Sequence, residues 1–345
     1  MGTWNFGIVG TGLIADFHAR AIQSLTDTKL VAIAGRTMEK ALKLANKYNC
    51  KAYDDYIEMM ADPGIDIITI ATASGSHLEP SVEAATRGKH VICEKPLEIT
   101  LNRIDKMIEA HDEAGTHLGG IFNFRYNDSV RVLKEAIDKG RFGTITYAGV
   151  YVPWWRNEEY YTGSWHGTLD MDGGGAMMNQ SIHMIDMLQY LMGPVKSLQA
   201  YASALVHGIE VEDTATAVVK FKNKALGVIY GTTASWPGQF RRLEITGSKG
   251  TVVQVENSFK VWQFADETEE DREILKKYGE IEGGGGVSDP AAIQFEPHAR
   301  NIAAFINSIE DHQPFEIAGR EARKSVEIVL AIYKSAKKKK MYRFE

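Results

Sequence analysis

Lys95 stands two residues beyond the apolar run His90–Cys93 and is followed by Pro96. An ammonium at the end of a strand can donate a hydrogen bond to a reacting oxygen and stabilise the negative charge developing there. His183 lies four residues after Asn179 and three before Asp186, offsets that on a helix bring all three side chains to one face. A near-neutral imidazole is a natural proton shuttle, and a carboxylate on its other nitrogen would set the tautomer and raise its basicity. The Asn179 amide can orient a hydroxyl but cannot take a proton, so it reads as a binding residue and the acid–base work falls to His183 with Lys95, Asp186 being the carboxylate that would orient the imidazole. A metal centre needs three or four converging ligands, and neither HExxH nor a cysteine pair accompanies these residues. No metal is expected.

A third feature is a glycine turn. Gly7-Ile8-Val9-Gly10-Thr11-Gly12-Leu13-Ile14-Ala15 sets G-x-G-x-x-A between an apolar run and an amphipathic one. The glycines permit a tight turn and let backbone from Gly10 to Ile14 approach a pyrophosphate, which the free N–H groups of a helix start would hold. The second apolar run ends at Gly35-Arg36-Thr37, with the nearest acid, Glu39, inside the following helix. A carboxylate there would select NAD and an arginine NADP. The expectation leans to NADP, with Arg36 stacking on the adenine of NAD as the alternative. Thr72, Ser76 and His77 follow the run ending at Ala71 and should face the cofactor's nicotinamide ribose.

Position of these residues depends on the elements around them. Apolar runs at Asn5–Val9, Leu30–Ala34, Ile65–Ala71, His90–Cys93 and Leu118–Phe122 alternate with helical patterns at 14–25, 38–48, 79–87 and 101–114. Continuous Val and Ile strands joined by helices predict a doubly wound parallel sheet over residues 1–122. From Thr146 the period changes to two, in segments 146–152, 198–206, 214–221, 225–233, 242–246 and 251–255. Alternation with short turns predicts an α+β domain over 123–345 with an open, mainly antiparallel sheet. Asp266–Ala292, charged and then glycine-rich, shows no period and reads as a mobile excursion. Helices are expected at 297–310 and 319–336, the last of which could pack back on the first domain.

Composition narrows the class. The 345 residues suit roughly two domains. Lys plus Arg number 39 against 45 Asp plus Glu, a net −6 that argues against a nucleic-acid partner, which needs a basic face. No apolar run reaches the length that spans a bilayer, so no membrane partner is expected. Two cysteines, Cys50 and Cys93, and no export signal at the start fit a cytoplasmic protein. Tyr151, Trp154, Trp155, Arg156, Tyr160, Tyr161, Trp165 and His166 crowd one stretch; such rings suit the apolar faces of sugars, or equally a subunit contact surface.

The N-terminal glycine turn, Glu94-Lys95-Pro96, and Gly173-Gly174-Gly175 ahead of His183-Met184-Ile185-Asp186 together resemble the Gfo/Idh/MocA oxidoreductases, along essentially the whole chain. The resemblance implies a Rossmann domain and a substrate domain, and hydride transfer between NAD(P) and a carbinol or ketone of a sugar, cyclitol or sugar derivative. It implies Lys95 and His183 at the reacting oxygen, Glu94 and Lys95 beside the cofactor, and a cis bond before Pro96. By the same resemblance Asn123 and Arg125 line the substrate cleft, to which the aromatic stretch would add Trp155, Arg156 and Trp165. Many relatives carry Asp at Asn179 and Arg where this chain has His166, which alters the division of labour. A homodimer or homotetramer through the C-terminal sheet is expected. The competing classes are a non-catalytic dinucleotide-binding regulator and an interaction protein on the same scaffold.

Overall fold

The expected alternation of strand and helix forms in a computed structural model that describes residues 2–280 and 295–344. In chain order the first elements are β1 (Trp4–Val9), α1 (Leu13–Ser24), β2 (Thr28–Ala34), α2 (Met38–Tyr48), β3 (Lys51–Tyr53) and α3 (Tyr56–Met60). There follow β4 (Ile67–Ile70), α4 (Leu78–Thr86), β5 (His90–Cys93), α5 (Leu101–Ala114) and β6 (Leu118–Gly120). The strands lie in the order β3-β2-β1-β4-β5-β6 and every pair is parallel. Order reverses between β1 and β4, where doubly wound sheets bind their ligands. Ile8, Ile67, Ile68, Val91 and Ile92 are wholly buried, as strands covered on both faces must be. Thr37 and Thr100 cap α2 and α5 by accepting from the amides of Lys40 and Arg103. The short β3 lay below what alternation could signal.

The remaining elements are α6 (Asp128–Asp138), β7 (Ile145–Pro153), α7 (Glu158–Tyr161), α8 (Ile182–Met192), β8 (Val195–Ser203), β9 (Thr214–Phe221) and β10 (Leu226–Thr232). The chain continues through β11 (Arg242–Gly247), β12 (Gly250–Val255), β13 (Ser258–Phe264), α9 (Glu269–Tyr278), α10 (Glu296–Glu310), α11 (Gly319–Lys338) and β14 (Tyr342–Arg343). The second sheet runs β13-β12-β11-β7-β10-β9-β8-β14, antiparallel except for the parallel pair of β7 and β10. Burial alternates strictly along β9. Ala215, Ala217 and Val219 face inward, while Tyr201, Val218 and Leu226 stand exposed on the other face.

The described residues form two compact units. The first holds the chain up to Asn123, Asp170–Gly173 and the stretch from Phe295 to Val326; the second holds Phe124–Leu169, Gly174 to Glu280 and Glu327 to Phe344. Residues 295–326 join the first unit although 123–345 was expected as one domain from which only the last helix could pack back; no period marks the edge they cover. Asn301 Oδ1 accepts from the Phe122 amide at 3.1 Å and its Nδ2 donates to the Gly120 carbonyl at 3.3 Å. The Gly120 amide donates to Ile317 at 2.8 Å. These contacts occupy the backbone groups that edge strand β6 would otherwise leave unpaired.

Part of the excursion expected over 266–292 is a helix. At its start Thr268 and Asp271 form a reciprocal capping box, and the Asp271 carboxylate also accepts from Arg141 and from Trp262 Nε1 at 2.7 Å. Burial pushes the Asp271 carboxyl up, but Arg141 and the Thr268 amide outweigh it and hold the carboxyl well below its usual range. Long-range partners therefore order α9, which local composition could not reveal. The glycine run Gly283–Gly286 lies outside the described residues.

The lower end of the first sheet carries one buried and one half-buried imidazole, His111 and His90. The Nδ1 of His90 accepts from the His117 amide at 3.0 Å, and His111 Nδ1 lies 2.7 Å from Thr116 Oγ1. Burial, reinforced by neighbouring imidazoles, lowers His90 and His111 each to about 4. Unfolding restores their ordinary values near 6.5, so the unfolded chain binds more protons between these limits. Stability is complete above about pH 6.5 and falls as pH drops toward 4. Urea midpoints measured from pH 7.5 to 4.5 should decline, and His111→Gln should flatten that decline; an unchanged slope would show that folding does not lower the His111 pKa.

Candidate active site

The glycine turn sits at the carboxyl end of β1. Gly10 has φ +127°, and a Cβ there would lie 2.3 Å from the Ala71 carbonyl oxygen of the neighbouring strand end; this glycine is required by the fold. Gly12 is different. Its φ is −81°, open to any residue, and a Cβ would meet nothing of the chain within 4 Å. It is also the cap of α1 and provides no side-chain cap, leaving the first amides of α1 to a ligand. A glycine that the fold does not need, before an uncapped twelve-residue helix, fits the approach of a pyrophosphate. Gly12→Val should therefore weaken NADH binding by tenfold or more, about 1.4 kcal/mol, at nearly constant thermal midpoint, whereas Gly10→Ala should lower the midpoint. Calorimetry of Gly12→Val with unaltered NADH affinity would remove the turn from the cofactor site.

Beyond β2, Arg36 and Thr37 are exposed and Thr37 serves as the cap of α2. Thr72 Oγ1 donates to the Ser76 carbonyl at 3.2 Å. His77, expected to face the ribose, is turned inward instead. Its ring is 1% exposed, with Nδ1 3.0 Å from the Pro96 carbonyl and Nε2 3.3 Å from that of Thr72. Desolvation lowers its pKa, and the ring sits between the two loops with one nitrogen toward a carbonyl of each. The Lys95–Pro96 bond is cis, as the resemblance implied.

Lys95 is half-buried at the carboxyl end of β5, and its amide donates to Glu94 Oε2 at 3.1 Å. Behind it lies a group that motif reading missed. Glu94 Oε1 is 2.8 Å from His18 Nε2 and 3.6 Å from His298 Nε2. Burial raises the Glu94 carboxyl, but the two imidazoles overcome this and hold it well below the usual value. His298 Nδ1 continues to Asn123 Nδ2 at 3.2 Å, while the buried Asn123 Oδ1 has no hydrogen-bond partner among the described residues. His18, Glu94 and His298 are also the one group among the described residues whose ligating atoms all lie within 4.8 Å, as a metal would require. Both ring nitrogens of His18 are engaged, Nε2 by Glu94 and Nδ1 by Thr69 Oγ1. The only sequence signal was a histidine inside the apolar face of α1.

In the second unit the sequence Ala176–Gln180 forms a π-helical turn, and α8 starts only after Ser181. Asn179 and His183 are therefore not successive positions on one α-helix, as their spacing suggested. The wider turn re-aims Asn179, and such turns recur at functional sites. The His183 ring stacks on Phe124, centroids 4.5 Å apart at 26°, and Arg241 covers the Phe124 ring at 3.9 Å. The carboxylate of Asp186 accepts from Arg125 Nε at 2.7 Å and Nη2 at 2.6 Å, both side chains being nearly inaccessible. Arg125, expected to line the cleft, is thus the bidentate counter-ion of Asp186 and also lies over Tyr190 at 4.5 Å.

The aromatic stretch folds around the same turn. Gln180 Nε2 donates to the Tyr160 hydroxyl at 3.1 Å, and Tyr160 packs against His166 at 4.3 Å. Trp165 stacks on His166 at 4.1 Å. Trp155 pairs with Ala234 across the sheet edge and packs near His207. Arg156 is buried, its Nη1 donating to the Trp155 carbonyl at 2.8 Å.

These features define a Rossmann oxidoreductase with a mixed-sheet second domain. Residues 4–120 match the oxidoreductase family with NAD-binding Rossmann fold, and residues 130–253 match the GFO/IDH/MocA C-terminal domain. The chain belongs to this family. It is 28% identical over 351 residues to myo-inositol 2-dehydrogenase of Thermotoga maritima, covering 98% of each chain. It is 30% identical over 256 residues to the oxidoreductase YrbE of Bacillus subtilis, 71% of this chain and 72% of that one. Among solved structures, the WlbA dehydrogenase of Bordetella pertussis, in complex with NADH and UDP-GlcNAcA, superposes with a TM-score of 0.89 at 30% identity, over 100% of this chain and 98% of that one. Family membership makes this chain an NAD-binding oxidoreductase, and among the described residues no helix is long and apolar enough to cross a membrane.

Proposed function

We propose that the protein transfers a hydride between NAD(P) and a secondary carbinol, or its ketone, on a sugar, cyclitol or sugar derivative. The observation that carries this reading is the glycine at position 12, which leaves room at the start of α1 that the fold itself does not use. The relatives named above as an inositol dehydrogenase and as a sugar-nucleotide complex support the substrate class. The bound nicotinamide supplies or accepts the hydride. In the oxidative direction the Lys95 ammonium donates to the reacting oxygen and stabilises its developing charge, while His183 accepts the hydroxyl proton. In reduction the same groups return it. Asn179 orients a neighbouring hydroxyl, and the aromatic side chains at Trp155, Tyr160 and Trp165 cover the apolar face of the ring. Asp186, through Arg125, secures the helix that carries His183. Asn123 presents its unused amide oxygen to a ligand.

The cofactor is NADP by preference, because the end of β2 provides an exposed Arg36 and no carboxylate. Titration with NADPH and NADH, followed by a screen of sugars and cyclitols for change in nicotinamide absorbance, tests the assignment. Arg36→Ala should weaken NADPH at least tenfold, about 1.4 kcal/mol, and NADH by far less; equal losses would assign Arg36 to stacking on the adenine of an NAD enzyme. The exposed Tyr201, Val218 and Leu226 on the open sheet face support assembly as a homodimer or homotetramer. Free Cys50 and Cys93 suit a cytoplasmic setting.

A further inference from the structure

Glu212 belongs to none of the motifs, yet it is buried in the second unit and aimed at the backbone that leads into α8. Its neighbour Asp213 faces its own loop, accepting from the amides of Leu205, Val206 and His207 at 3.0, 2.8 and 3.0 Å. Glu212 turns the other way. Its Oε2 accepts from the Gly175 amide at 3.0 Å, its Oε1 from the Met177 amide at 2.8 Å, and its main-chain oxygen from the Ala176 amide at 3.1 Å. Three consecutive amides that begin the π-helical turn are thus all satisfied by one residue. The Tyr333 hydroxyl of α11 donates to Oε1 at 2.9 Å and completes the cradle.

The glycines ahead of the turn are moulded to this contact. A Cβ on Gly175 would stand 1.7 Å from the Glu212 carbonyl oxygen, and one on Gly174 would stand 2.2 Å from the Tyr333 hydroxyl. From there the hydrogen bonds run on without a break. The Asn179 amide donates to Gly175 at 2.9 Å, that of Ser181 to Ala176 at 2.8 Å, and those of Met184 and Ile185 to Ser181 at 2.9 and 3.0 Å. A shift at Glu212 is therefore handed to Asn179 and then to the first turn of α8, where His183 sits.

We infer that Glu212, backed by Tyr333, is a positioning residue for Asn179 and His183: its carboxyl sets the π-helical turn from which both are presented. The inference rests on the proposed role of those two residues at the reacting alcohol. Only a side chain with two accepting oxygens suits the Gly175 and Met177 amides together. Glutamine would place an NH2 group against one of them, and aspartate would fall a methylene short.

The test uses the full-length protein as Glu212→Gln and Tyr333→Phe, with His183→Ala as the reference, on the polyol found by the screen. Glu212→Gln should lower kcat about 100-fold, as for a misplacement near 1 Å, and Tyr333→Phe several-fold, with NADH affinity within about twofold. Hydrogen exchange over residues 174–184 should accelerate at least tenfold in Glu212→Gln, while α5 keeps its protection. If turnover falls only in proportion to the folded fraction, or if exchange over 174–184 is unchanged, Glu212 is merely structural and the inference fails. If His183→Ala retains full turnover, the reading of the site fails instead. If His183→Ala collapses while both other variants keep kcat within twofold, the positioning role alone is overturned.

Discussion

Replacement of Lys95 by alanine should lower kcat by about 10²–10³-fold, the loss that follows removal of one donor to a developing oxyanion, while NADH affinity changes by less than about threefold. The separation is expected because the lysine's backbone and its ammonium have different duties. The backbone is held by the hydrogen bond that its N–H donates to Glu94 Oε2, and Glu94 in turn by His18 and His298; none of these contacts uses the Lys95 side chain. Truncation keeps the backbone hydrogen bond that holds the strand end. What is lost is the donor that meets the oxygen as it gains charge, an interaction stronger in the transition state than in the ground state. Lys95→Arg should restore little, because a planar guanidinium does not substitute for a compact ammonium at one oxygen. Stopped-flow reduction of the nicotinamide and a fluorescence titration on the same preparation measure both quantities. Parallel collapse of turnover and cofactor affinity would make Lys95 a structural residue.

The second large effect is on stability. Asp186→Asn should cost about 3–5 kcal/mol, the penalty for leaving one partner of a buried ion pair without its counter-charge. Arg125 and Asp186 are both almost inaccessible and joined by two hydrogen bonds, so the amide cannot neutralise the guanidinium and water cannot reach it. The double variant Arg125→Met with Asp186→Leu removes both charges and should be closer to the original protein than Asp186→Asn alone. Urea unfolding followed by a probe in the second domain reads the difference, while NADH binding by the Rossmann domain serves as the internal control. A stable Asp186→Asn protein with lost turnover would place Asp186 in the chemistry at His183 and not in the pairing with Arg125.

Much of this molecule could be read from its residues in order. Each β–α unit of the Rossmann domain is local: a run such as Ile67–Ile70 is apolar because both faces of its strand are covered, and the turn Gly10–Gly12 follows at once from β1. The place of Lys95 just past β5 was legible for the same reason, since the end of a parallel strand is a predictable position. His183 and Asn179 were legible as residue types, but their spacing misled. The turn that separates them is wound wide by Glu212 and Tyr333, which lie 33 and 154 positions beyond Asn179, and no periodicity reports such partners. Arg125 with Asp186, and His18 with Glu94 and His298, were hidden likewise, as was α9, whose Asp271 is held by Arg141.

Local order, then, was enough to determine the strands, helices and glycine turn, because backbone propensity and the period of burial act between near neighbours. The tertiary structure alone decided which charges meet, which carbonyls take His77, and how β6 has its edge covered. Burying a charge or a backbone group is costly unless a partner is brought to it, and that partner can come from anywhere in the chain.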